Sequence, residues 1–170
     1  MSGRVLTLGL VLFAVVFGAA LWWFQTRAYY GEMEGVTEIE IAGVSVPVED
    51  WRGIDADTSP LKLRACFRLA GDPPPELIAA AEDPAADEAT PLVAPSWFEC
   101  FDAPALARAM AEGRAVAALA ERNVPWGFDR FVAVDLESRR GWMWRQLNDC
   151  GAATFEGDPA PEGCGALPED

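Results

Sequence analysis

VLTLGLVLFAVVFGAALWWF, residues 5–24, is the stretch on which the architecture turns. It is twenty positions long without a charge, and at about 1.5 Å of rise per helical residue it covers the roughly 30 Å hydrocarbon core of a bilayer. Trp22, Trp23, Tyr29 and Tyr30 gather at its far end, where amphipathic rings favour the headgroup layer, and Arg27 can snorkel among them. The same residues admit a cleaved signal peptide, with Arg4 as its charged start and Gly18, Ala19 and Ala20 as the cleavage site. The apolar run continues through Leu21 to Phe24 past that site, which favours a retained span. Arg4 and the terminal amine before the span, against Arg27 after it, place the N-terminus in the cytoplasm by a small margin.

Outward from the span, residues 1–4 are a short tail, 25–35 a juxtamembrane segment, 36–149 a folded domain and 150–170 an irregular C-terminal tail. The expected class is α+β: a transmembrane helix, then a small domain of antiparallel strands with one or two helices. From residue 31 onward 11 Lys and Arg face 27 Asp and Glu, a charge of −16, yet aliphatic and aromatic residues stay frequent enough for a core. Residues 36–41 alternate loosely, Ala42-Gly43 can turn, and Val44, Val46 and Val48 repeat at period two, which predicts a hairpin with Pro47 on an edge. A loop over 49–60 then leads into Leu61, Leu63, Ala65, Phe67 and Leu69, alternating with Lys62, Arg64, Cys66 and Arg68. That alternation predicts a strand with one apolar and one mostly basic face.

Residues 71–95, rich in Pro, Ala and acids, read as an exposed excursion with at most a short helix over 76–81. Residues 96–101 suit a short strand. Asp102 then caps a helix with Pro104 in its first turn and Gly113 just past its end. Residues 115–123 fit helix or strand, and 131–135 with 142–147 flank 137–141 as a hairpin.

Composition excludes more than it selects. The 170 residues carry 13 Lys and Arg, 27 Asp and Glu and no histidine, a net charge of −14. Without an imidazole there is no His-based triad, haem ligand or phosphoacceptor histidine. The acidic balance argues against nucleic acid, whose phosphates it would repel. The chain carries no P-loop, dinucleotide fingerprint or kinase signature, and no cofactor is expected.

The four cysteines, Cys66, Cys100, Cys150 and Cys164, all follow the span, an even count that suits two disulfides in an oxidising compartment. Three pairings are open. Cys66 with Cys100 and Cys150 with Cys164 are favoured, because the first two fall in expected strands and the second two bracket a loop. Reduced buried thiols are the alternative; zinc is disfavoured by the lack of C-x-x-C and of histidine. Ser59 and Lys62 match S-x-x-K, but Lys62 opens a period-two strand and no companion motif is present. Asp55 and Asp57 begin like a calcium loop that fails at Pro60 and Cys66, so an Asx-type turn is the better account. Lys62, Arg64 and Arg68 share an expected strand face and are candidate contacts for an anion or a carboxylate-rich partner, with internal pairing as the alternative. Trp142 and Trp144 fall on one strand face and suit a core.

DADTSPLKLRACFRL (55–69), WFECFDAPAL (97–106) and DRFVAVDLESRRGWMWRQLNDCG (129–151) with PAPEGC (159–164) resemble an uncharacterised family of small single-span alphaproteobacterial membrane proteins, mainly of the rhodobacter group. The resemblance implies no active site. A histidine-kinase label carried by some relatives finds no support in a chain without histidine. The expected protein is a single-pass inner-membrane protein with a periplasmic, disulfide-braced domain that binds or assists an envelope protein. A membrane-anchored enzyme using carboxylates such as Asp55 and Asp57, and an anion sensor using Lys62, Arg64 and Arg68, are the alternatives.

Overall fold

The structure is a computed structural model describing residues 3–166. The chain divides into two compact units, Met1–Tyr30 and Gly31–Asp170. In the first, α1 (Gly3–Thr26) extends the expected span by two residues at each end. At 24 residues it is about 36 Å long, and among the described residues it is the one helix long and apolar enough to cross a membrane. Its hydroxyls turn back on their own helix: Thr7 Oγ1 donates to the Gly3 carbonyl at 3.0 Å and Thr26 Oγ1 to that of Trp22 at 2.7 Å. Both are therefore satisfied without water.

The second unit is built on seven antiparallel strands: β1 (Gly31–Met33), β2 (Glu38–Ile41), β3 (Val44–Asp55), β4 (Arg64–Leu69), β5 (Ala115–Glu121), β6 (Phe128–Asp135) and β7 (Arg140–Leu147). They run in the order β1-β3-β4-β7-β6-β5, with β2 beside the first half of β3. Among the described residues three short α-helices accompany them: α2 (Pro75–Ala81) and α3 (Ala103–Ala111) between β4 and β5, and α4 (Asp149–Glu156) after β7. The whole is an apolar N-terminal helix followed by an α+β domain.

The two faces of the sheet carry separate cores. On one, Ile39, Ile41, Val46, Phe67, Leu69 and Val132 gather beneath the β2–β3 hairpin and α2. Ala42-Gly43 turns that hairpin with φ of 50° and 81°, the signs a two-residue hairpin loop requires. Ala42 N–H reaches the carbonyl of Ala120 on β5 at 3.0 Å, so the sheet curls until its first hairpin meets its last strand. On the other face Phe101, Leu106, Phe131 and Trp144 pack together. Trp144 is fully buried, stacked 6.0 Å from Phe131 and edge-on to Phe101, the core role its spacing predicts.

Several expectations are corrected. Residues 49–55 are strand rather than loop, because a bulge between Glu49 and Arg52 lets β3 continue past the break in alternation. Pro47 is not on an edge, since β3 has neighbours on both sides. Val48 N–H bonds Thr37 on the β2 side, and the Pro47 carbonyl accepts from Ala70 on the other, where the β4 ladder ends and no N–H is needed. The strand predicted from Leu61 starts at Arg64, because Pro60–Lys62 is a 3₁₀ turn, and β4 is buried on both faces. The 71–95 excursion is packed down rather than exposed throughout, with Leu77, Ala85 and Ala86 buried. Residues 96–101 form turns, not a strand. The 150–170 tail is not irregular throughout, since α4 runs into it to Glu156; the Asn148 side chain accepts from Gly151 N and Gly157 closes the helix in the left-handed conformation. The capped helix at Asp102 and the β6–β7 hairpin stand where expected, and residues 115–121, open between helix and strand, form strand β5.

Candidate functional site

The register of the central strands brings three arginines to one open area of the sheet. Arg68 on β4 stands opposite Arg140 on β7. One row along, Cys66 lies opposite both Arg52 on β3 and Trp142 on β7. Partners in register share a face, and so do alternate residues of a strand, so Arg52, Arg68, Arg140 and Trp142 project together. The bulge decides this. Between Glu49 and Arg52 the strand advances three residues while β4 advances two, with Asp50 at φ 53°. Without the extra residue, Trp51 would stand with the arginines. With it, Trp51 stacks on Phe67 in the opposite core, 6.0 Å between centroids, and Arg52 turns to the cleft.

The cleft so formed has a volume of about 450 Å³ and is walled by these side chains, Asp50 and the Cys66–Cys100 bridge. Two of its arginines are held by neutral groups. Arg68 donates to the Ser138 carbonyl at 2.9 Å, and the Arg140 guanidinium lies 5.4 Å over the Trp142 ring. The Trp142 indole N–H is itself tied to the Cys100 carbonyl at 3.2 Å. Acid is sparse: Asp50 is 3.6 Å from Arg68 and largely exposed, and Glu49 is Arg68's register partner on β3. Among the described residues neither Arg52 nor Arg140 forms an ion pair.

Residues 35–165 match a family described as one of unknown function, DUF6446. The chain belongs to the DUF6446 family. No curated protein and no solved structure matches it. The matched residues take in the elements from β2 to α4 and leave out α1 and β1.

Of the three cations expected on one strand face of this DUF6446 chain, only Arg68 lies in the cleft. Lys62 is in the 3₁₀ turn, and its amine donates to Thr58 Oγ1 at 3.1 Å. Arg64 is buried and clasps the chain: Nε donates to the Leu92 carbonyl at 2.8 Å, Nη1 to those of Leu61 and Leu63, and Nη2 to Val93. It pins the 71–95 excursion across the sheet. Arg52 and Arg140, which complete the cleft, are found only through the register of three strands, a relationship that spacing along the chain does not carry.

The disulfides are Cys66–Cys100 and Cys150–Cys164, the favoured pairing. The first holds the 96–101 turns against the sheet and forms one wall of the cleft. The second closes α4 against the C-terminal segment, where Asn123 and Trp126 both donate to the Cys164 carbonyl.

Several titratable groups outside the cleft serve the fold. Asp55 accepts from Ala56 N with one oxygen and pairs with Arg145 at 2.9 Å with the other. Arg130 pairs with Glu121. Burial lowers the Arg130 guanidinium below its usual range, while Glu121 acts in the opposite sense. Asp129 is buried and accepts from Asn123 N and Asn148 Nδ2, both at 2.7 Å. No three acidic or thiol side chains gather as metal ligands among the described residues.

Proposed function

We propose that this DUF6446 protein is a single-span bacterial inner-membrane protein, N-terminus in the cytoplasm, whose periplasmic domain is a binding module accessory to another envelope protein. The observation that carries the proposal is the joining of one apolar helix to a domain braced by two disulfides. Disulfides persist in oxidising compartments, and a 24-residue apolar helix with no buried residue has no use for its surface in water. The open cleft favours binding over catalysis: it gathers fixed cations and an indole, with no nucleophile paired to a base.

A C-terminal reporter that is active only outside the cytosol tests the topology, and an active reporter is expected. Capture of the intact protein in mild detergent tests the accessory role. A specific envelope protein should accompany it, and a leucine-rich replacement of α1 separates contacts made by the span from those made by the domain. Recovery of the protein alone across several detergents and crosslinkers would contradict the accessory role.

A further inference from the structure

We propose that the cleft of Arg52, Arg68 and Arg140 binds a small polyanion carrying at least two phosphate or carboxylate groups. The inference rests on the domain being a binding module, and its test uses purified protein, so it fails separately from the topology experiment.

The sheet supplies its own comparison. Arginines stand directly opposite one another at two places, Arg68 with Arg140 and Arg130 with Arg145. Like charges in register repel. At the second place the repulsion is relieved, since Arg130 pairs with Glu121 and Arg145 with Asp55. At the first it is relieved only in part: Arg140 has no carboxylate, Arg68 has the exposed Asp50 at 3.6 Å and Glu49 in register, and Arg52, one row away, forms no ion pair although Glu32, Glu34 and Glu99 line the adjoining cavity. A domain with 27 carboxylates has ample means to neutralise this cluster. Leaving it open is what a site for an external anion requires.

The kind of anion follows from the donors. All three cations are arginines, whose planar forks suit the paired oxygens of phosphate and carboxylate. The Ser138 carbonyl and the Trp142 ring orient two of them without cancelling their charge, which reduces the ordering cost on binding. Arg52 stands one row from the Arg68–Arg140 pair, on the third strand, and a ligand with two or more oxyanions can engage both rows at once. A cleft of about 450 Å³ is of small-molecule size. Asp50 at its rim opposes the ligand, so removing that charge should tighten binding.

The test is calorimetric titration of the full-length, disulfide-intact protein in mild detergent at low salt, with inorganic pyrophosphate and with citrate. At least one should bind saturably at one site. Arg52→Gln and Arg140→Gln should each weaken binding about ten- to hundredfold, the range for loss of a charge-assisted contact. Asp50→Asn should strengthen it, a gain that damage to the fold would not produce. Arg122→Gln, an exposed arginine outside the cleft, should leave it unchanged. Tighter pyrophosphate assigns the site to phosphates and tighter citrate to carboxylates; either supports the proposal. It is overturned if neither probe saturates, if Asp50→Asn binds no more tightly than the parent, or if Arg122→Gln weakens binding as much as the cleft variants do.

Discussion

Phe67 of β4 lies across Gly141, its register partner on β7, so closely that a Cβ at position 141 would overlap the ring. The missing side chain lets Phe67 lie flat, and Trp51 stacks on its ring. Trp51 is the residue that the β3 bulge sends to the core while Arg52 turns to the cleft. A glycine on β7 thus supports the geometry of the site on the opposite face.

Gly141→Ala should therefore destabilise the domain by about 1 to 3 kcal/mol, the usual cost of overpacking a core. Urea unfolding measures it. Phe67→Leu in the same chain should recover part of the loss. Gly71→Ala, where a Cβ meets nothing within 4 Å, should stay within about 0.5 kcal/mol of the parent.

Arg64→Gln separates the buried arginine from those of the cleft. It strips donors from the carbonyls of Leu61, Leu63, Leu92 and Val93, and the loss should be about 2 to 3 kcal/mol. Hydrogen exchange should quicken first in residues 89–95, the segment Arg64 holds down. Unchanged exchange there would contradict the clasp.

The β6–β7 turn gives the domain one identifiable acid-sensitive contact. The backbone N–H of Ser138, above all, and that of Glu137 hold the Asp135 carboxyl below its ordinary value. A depressed folded-state value means stability that is present above the unfolded value of about 3.9 and lost as pH falls through the folded one. Asp135→Asn should flatten the stability profile below about pH 4 and change its slope little near neutrality. Urea midpoints across that range decide it.

The two bridges should differ in worth. They close loops with sequence separations of 34 and 14 residues, which corresponds to about 4 and 3 kcal/mol of restricted unfolded-state entropy. Replacing Cys66 and Cys100 together by Ser should cost more in urea unfolding than replacing Cys150 and Cys164. It should also open the cleft, since Cys100 anchors Trp142. The reverse ranking would show that the short bridge acts through native contacts.

Local signals were legible in the sequence and relationships between strands were not. The Asp102 cap with Gly113, the Ala42-Gly43 turn and the alternation around residues 131–147 each identify an element from neighbouring residues. The favoured disulfide pairing stands although its premises do not, since residues 96–101 form turns and Cys150 lies in α4. The bulge escaped because one added residue at Asp50 reverses the parity of everything after it, so that Arg52 in an apparent loop becomes a cleft residue. Alternation through Arg64 and Arg68 showed a shared face but not that Arg64 would be roofed by the 71–95 excursion. Helix α4 has no apolar periodicity and was read as irregular tail; Asn148 and Gly157 cap it.

The most direct measurement is thiol labelling of the four cysteines in intact cells with and without reductant. An anchored domain in an oxidising compartment predicts no labelling of Cys66, Cys100, Cys150 or Cys164 until the cells are reduced, and full labelling afterwards. Rapid labelling without reductant by a probe that crosses the inner membrane, and not by one that stays outside it, would mean free thiols in the cytosol and would contradict it.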